Sequence, residues 1–205
     1  MLGGSFARRR ALAVTLAVVM AGCAASIAPL KSGTAPRSVD ATRASAPADA
    51  NDIIYFDVNP LMVPVVGVVP GKIPDSFNEP RDDGRIHRAS DILAPMGTPV
   101  VAAESGSIMR LSQNRLGGTT IYMTDDDGRF IYYYAHLKGY ADGLAEREHV
   151  SQGDLLGYVG MTGNAPVPHL HFQAMRRDVA RRDYWNSTPV DVRPFFTLTG
   201  RMHGQ

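Results

Sequence analysis

Cysteine is nearly absent: one thiol, Cys23, occurs in 205 residues. No disulfide can form within the chain, so its folded part holds without one. An excess of charge is missing too, with 21 Lys and Arg against 20 Asp and Glu and a formal balance of +1. Nothing in that balance points to a nucleic-acid partner. A long apolar run is also lacking. The one near the start, residues 11–20, spans at ~1.5 Å per helical residue only about half of a ~30 Å hydrocarbon core, which excludes a membrane-crossing helix there. No stretch keeps a sustained 3.6-residue period, and no internal repeat is visible. The best helix candidate, residues 140–150, is short and interrupted by Gly143.

What the start does contain is informative. Arg8, Arg9 and Arg10 precede the apolar run, and the small residues Ala21 and Gly22 then lead to Cys23. This is the layout of a secretory signal, and it resembles a bacterial lipoprotein box, with Met20 where leucine is commoner. The resemblance implies a signal peptide over residues 1–22 and a lipidated Cys23 as the new first residue. Removing residues 1–22 takes away three arginines and no acids, so 18 basic side chains face 20 acidic ones and the balance becomes −2. Residues 24–52 are rich in Ala, Ser, Thr and Pro and hold too little apolar surface to offset the entropy of ordering. They read as a flexible tether. About 28 such residues reach ~30 Å on the scaling for flexible chains. The expected organisation is signal 1–22, lipidated tether 23–60 and folded domain 61–205. The expected location is the bacterial cell envelope, lipid-anchored on the periplasmic side. The outer membrane is preferred, because Ala24 stands where inner-membrane retention in enteric bacteria uses aspartate.

From Val63 onward, short apolar or alternating runs are broken by Gly, Pro, Asn and Asp. "VPVVGVV", "TPVVAA", "GSIMRLS", "TTIYMTD", "RFIYYYAHL", "LLGYVG" and "HLHFQAM" read as strands, with turns at "GG" (117–118) and "DDDG" (125–128). The fold class expected is mainly β, a compact antiparallel domain following a disordered N-terminal tether. "NPLMVPVVGVVPGKIPDSF" (residues 59–77) leads into the domain along its surface or lies across its binding groove.

Two of the six histidines stand one residue apart in "PHLHF". Side chains alternate along a strand, so His169 and His171 share one face while Leu170 and Phe172 point into a core. His87 and Asp91, four apart in "RIHRASD", also share a face of an extended chain. His136 closes the alternation Tyr132, Tyr134, His136, whereas His149 and His203 lack such company and read as surface residues. A catalytic zinc site takes three ligands from His, Asp, Glu or Cys and leaves a fourth position open. Five side chains (His87, Asp91, His136, His169, His171) exceed that need by two. The surplus histidines are what hydrolysis requires beside a metal-bound water. Calcium and magnesium are disfavoured, since they seek oxygen ligands.

"HRASD", then "APMGTPVVAAESG", "YYYAHL" and "GDLLGYVGMTGNAPVPHLHF", in that order over roughly residues 61–175, resemble the M23 family of zinc metallopeptidases, the LytM or lysostaphin type. The resemblance implies a LytM-like antiparallel fold of the duplicated hybrid motif or barrel-sandwich type, with a groove over the metal. It implies zinc on His87, Asp91 and His171, catalytic work by His136 and His169, and the peptide part of peptidoglycan as substrate. The expected partners are that substrate and a membrane, reached through the lipid, and the chain is expected to be a monomer. Many members carry glycine where this chain has Ala89, and Ser90 replaces a common apolar residue, so the turn after His87 is expected to be built differently. Relatives without metal ligands act as non-catalytic modules that activate amidases, and that class is the alternative. A cupin-like barrel also uses H-x-H but carries a glutamate soon after, and "HLHFQAMRRD" has none. Tyr132, Tyr133 and Tyr134 read as packing residues, one of which could touch substrate. Glycines 153, 157, 160 and 163 read as turn and close-packing positions. Arg176, Arg177, Arg181 and Arg182 read as a solvated loop.

Overall fold

A computed structural model describes residues 48–81, 84–178, 180 and 187–198. The expected signal peptide, Cys23, most of the expected tether, Arg181, Arg182 and His203 lie outside them. The described part is mainly β and antiparallel, in agreement with the sequence pattern. Its strands are β1 (Leu61–Met62), β2 (Ser90–Leu93), β3 (Pro99–Val101), β4 (Gly106–Asn114), β5 (Gly118–Asp125), β6 (Phe130–Tyr140), β7 (His149–Val150), β8 (Leu155–Val159), β9 (His169–Arg176), β10 (Thr188–Val190) and β11 (Phe196–Thr197). Among the described residues, nine strands join in one sheet along the path β10-β9-β6-β5-β4-β7, with β2 on β9 and β8 between β6 and β3. Every pairing in that sheet is antiparallel, and a short parallel pair, β1 with β11, stands apart.

The long β6 organises the site because it changes partners midway. Residues up to Ala135 pair with β9, and from Leu137 onward the strand pairs with β8. His136 sits at the changeover with a backbone φ of 63°, a left-handed conformation that is uncommon for a residue with a side chain. The core gathers on the inner face of this sheet: Tyr132, Tyr134, Leu170, Phe172, Ile121, Met123 and Leu156 are buried.

Three expectations change. "VPVVGVV" forms no strand beyond an isolated bridge between Val65 and Val100, because Pro64 has no N–H to give a ladder and Gly67 turns the chain at φ 83°. Residues 140–150 form no helix: Tyr140 ends β6, residues 141–148 turn with left-handed Gly143 and Arg147, and His149–Val150 form β7. The folded part also begins before residue 61, with the helix α1 (Ala50–Val58). Asp49 caps it, accepting from the N–H groups of Asn51 and Asp52, while Asp52 reaches back to the N–H of Asp49, a reciprocal capping box.

Packing holds this helix to the sheet. The Phe56 ring lies 4.6 Å from that of Phe130 and 5.3 Å from that of Phe195. Tyr55 donates to Asp125 Oδ2 at 2.8 Å. The fully buried Asp52 meets Arg176 at 2.7 Å, so Arg176 is anchored rather than part of a solvated loop. Nine residues are too few to form a stable helix alone, and tertiary burial supplies what propensity does not. Replacing Phe56 with Ala is therefore expected to cost about 3–5 kcal/mol of folding free energy. Urea unfolding of the two chains measures the difference, and a loss under about 1 kcal/mol would show that α1 contributes little.

Candidate active site

Strand register assembles the site. Asp91 on β2 stands directly opposite His171 on β9, and Leu93 opposite His169. On the other side of β9, His171 faces Ala135 of β6, one residue short of His136. His87 joins from the turn before β2. Residues 87–91 are therefore not the single extended run expected: Arg88 is left-handed at φ 62°, and Ala89 beside it is buried. The conformation is held at both ends, since the Arg88 N–H donates to Phe77 O at 2.8 Å and its carbonyl accepts from Gln173 at 2.9 Å.

Three potential ligand atoms converge. His87 Nε2 lies 2.9 Å from Asp91 Oδ1 and 3.1 Å from His171 Nδ1, and His171 Nδ1 lies 3.0 Å from Asp91 Oδ1. A tetrahedral zinc with bonds of ~2.0–2.1 Å separates neighbouring ligand atoms by ~3.3 Å, so this triangle and its two-nitrogen, one-oxygen donor set fit that ion. Nitrogen donors fit calcium poorly. The donors are also oriented from behind: His87 Nδ1–H donates to Ser76 O at 2.9 Å, which leaves Nε2 bare toward the cluster. Arg81 Nη2 takes the second carboxylate oxygen, Asp91 Oδ2, at 2.7 Å.

The other two histidines stand at the edge of this triangle. His169 Nε2 is 3.6 Å from Asp91 Oδ1. The His136 ring centroid lies 4.8 Å from that of His169 and 5.7 Å from that of His171. Each is held through Nδ1–H, which donates to Thr162 O at 2.8 Å in His136 and to Val167 O at 2.8 Å in His169. In that tautomer the free ring nitrogen is Nε2.

Electrostatics follow from this crowding. Burial works to raise the Asp91 carboxyl, but His171, His87 and Arg81 outweigh it and hold the group well below the usual carboxylate range. Burial pulls the imidazolium of His171 below its ordinary value against the pull of Asp91. Burial likewise lowers His136 to about 4, against its bond to the Thr162 carbonyl and with help from neighbouring His171 and His169. These two imidazoles are neutral at pH 7, the form that ligates a metal or accepts a proton.

The cluster floors a groove of about 950 Å³ whose walls include Arg81, Leu93, Asn114, Tyr133 and Val167. No described residue before Arg81 lines it; residues 59–77 pack Val63, Val65, Ile73 and Phe77 into the body of the fold instead. The three consecutive tyrosines divide, Tyr132 and Tyr134 being buried in the core. Tyr133 lines the groove, its ring 6.1 Å from that of His171 and 4.5 Å from that of Tyr122. His149 is exposed and lies 2.9 Å from Asp126, apart from the cluster. All five residues singled out by spacing meet here. Arg81 and Thr162 are the contributors that sequence reasoning missed, and no spacing rule marks an arginine ten residues before its carboxylate.

Comparison with known proteins points the same way. A family model described as peptidase family M23 matches residues 85–191. Lysostaphin of Staphylococcus staphylolyticus is 35% identical over 119 residues, 58% of this chain and 23% of that protein. The peptidoglycan DD-endopeptidase ShyC of Vibrio cholerae is 32% identical over 117 residues, 57% of this chain and 25% of that protein. The solved structure of the antimicrobial peptidase lysostaphin from Staphylococcus simulans matches with a TM-score of 0.52 and 33% identity, covering 60% of this chain and 48% of that one. The chain thus spans about a quarter of the length of the two relatives it matches in sequence.

Proposed function

The chain belongs to peptidase family M23, and we propose on that footing that it is a zinc-dependent peptidase hydrolysing peptide cross-links of bacterial peptidoglycan. The observation that carries this reading is the convergence of one ligand atom each from His87, Asp91 and His171 within 4.8 Å of one another, with two further histidines beside them. The word peptidoglycan in the name of the Vibrio cholerae relative supports the substrate class.

His87, Asp91 and His171 would hold the zinc. A zinc held by them would supply Lewis-acid polarisation of the scissile carbonyl and a water acidified toward a pKa of ~7. His136 and His169, each fixed through Nδ1, keep Nε2 for the reaction. One accepts the proton of the attacking water and passes it toward the leaving amine. The other, once it also carries a proton on Nε2, donates a hydrogen bond to the oxygen on which negative charge develops. Arg81 holds the outer oxygen of Asp91, so the carboxylate presents Oδ1 to the cluster. The same proposal includes a monomer exported by residues 1–22, lipidated at Cys23 and held on the periplasmic side of the outer membrane by the residues that follow.

Mass analysis of fragments released from purified peptidoglycan tests the chemistry. Fragments with new peptide termini are expected from the full chain, none in the presence of a chelator, and recovery on adding zinc. Binding to the wall without any released peptide would overturn the reading in favour of a non-catalytic module.

A further inference from the structure

We propose that Thr162 is a positioning residue for His136: through its hydroxyl and its carbonyl it fixes the orientation and tautomer of that imidazole. The inference rests on the peptidase reading for what His136 does, but not for how Thr162 holds it. Thr162 lies in the loop between β8 and β9 and is not among the residues that line the groove over the histidine cluster, so any effect on the reaction passes through another residue.

Its three polar links all converge on the point where β6 changes partners. The carbonyl accepts His136 Nδ1–H at 2.8 Å. The hydroxyl donates to the carbonyl of Leu137, the residue after His136, at 2.9 Å, and accepts the N–H of Thr119 at 3.0 Å. Thr162 therefore ties one loop to two strands and aims its own carbonyl at the imidazole. The backbone of His136 is itself constrained, with φ 63° and its N–H donating to Gly117 O at 2.7 Å. Such conformations persist only where surroundings over-determine them.

Two close approaches make the tie possible. Gly118 and Gly163 are both left-handed, and a Cβ on Gly118 would overlap Thr162 Oγ1 while one on Gly163 would overlap the Gly118 N–H. A Cβ on Gly160 would strike Lys138 N and His136 O. Glycines at 160 and 163 thus serve more than turn formation: they let the loop press its carbonyl against the ring. With Nδ1–H held, His136 keeps Nε2 as its lone-pair nitrogen. With the tie loosened, the other tautomer and other ring orientations become accessible.

Valine matches threonine in shape but lacks the hydroxyl, so Thr162→Val removes both hydroxyl bonds and leaves the carbonyl. Thr162→Ser keeps them. In the full chain, Thr162→Val is expected to lower kcat by roughly ten- to hundredfold, the cost of misplacing a catalytic group by up to ~1 Å. KM and zinc affinity, the latter from chelator competition, are expected to stay at wild-type values. Thr162→Ser is expected to restore kcat to within about threefold, since the bonding group is kept. Imidazole ¹⁵N NMR is expected to show His136 protonated at Nδ1 in wild type and Thr162→Ser, and a tautomer mixture in Thr162→Val. The inference is overturned if Thr162→Val keeps the Nδ1–H tautomer and wild-type kcat, or if its kcat falls only as zinc is lost. Should wild type release no peptide, the peptidase reading fails while the NMR comparison still decides this one.

Discussion

A chain with His171 replaced by Ala is expected to lose its zinc on dialysis and to release peptide from peptidoglycan at background rate. His171 supplies one of three donors, and its Nδ1 is about equally close to the other two, at 3.0 and 3.1 Å. Removing it leaves one nitrogen and one oxygen, short of the three protein ligands that catalytic zinc sites use. Loss of a supporting residue behind a ligand costs ~10–100-fold in metal affinity, so loss of the ligand itself should exceed about 100-fold. Alanine keeps the strand at this position, where Asp91 and Ala135 stand on either side in the ladder, and circular dichroism should show the β fold retained. Metal analysis after dialysis and fragment release are the two measurements. Stoichiometric zinc together with wild-type digestion would remove His171 from the site.

That this site was legible in the sequence has a physical reason. Strand periodicity of two places His169 and His171 on one face whatever the partner strand is. The shared extended face expected for His87 and Asp91, in contrast, does not form: four extended residues span ~13 Å, and it is the left-handed turn at Arg88 that brings the two side chains together. What spacing does not encode is partnership across loops. Thr162 and His136 are 26 residues apart, and their bond depends on glycines that clear a path rather than on any residue that advertises chemistry. The helix α1 escaped for a related reason. Its capping box, Asp49 with Asp52, is local, but its stability comes from Phe130, Phe195 and Arg176, all remote in sequence. A composition rich in small residues just before it suggested a tether that ran on to residue 60. The turn at Arg88 was not legible, because a left-handed arginine beside the buried Ala89 carries no sequence signal of its own.

Replacing His136 or His169 with Ala is expected to separate holding the metal from using it. Neither ring nitrogen belongs to the triangle of potential ligand atoms, so both variants should retain zinc at the wild-type level. Turnover, in contrast, should fall by about 10²–10⁴-fold in each, the usual worth of a positioned proton carrier. KM should move less than kcat, because these groups act on charge that appears only as the bond breaks. The double variant should lose little more than the worse single one, since a base and an oxyanion donor serving one transition state work as a unit. Together with His171→Ala this gives two distinct signatures, zinc lost with activity and activity lost with zinc in place. A His136 or His169 variant that keeps zinc and digests peptidoglycan at the wild-type rate would take that histidine out of the reaction. A variant that loses zinc would instead make it a fourth ligand, and the open position the chemistry needs would no longer exist.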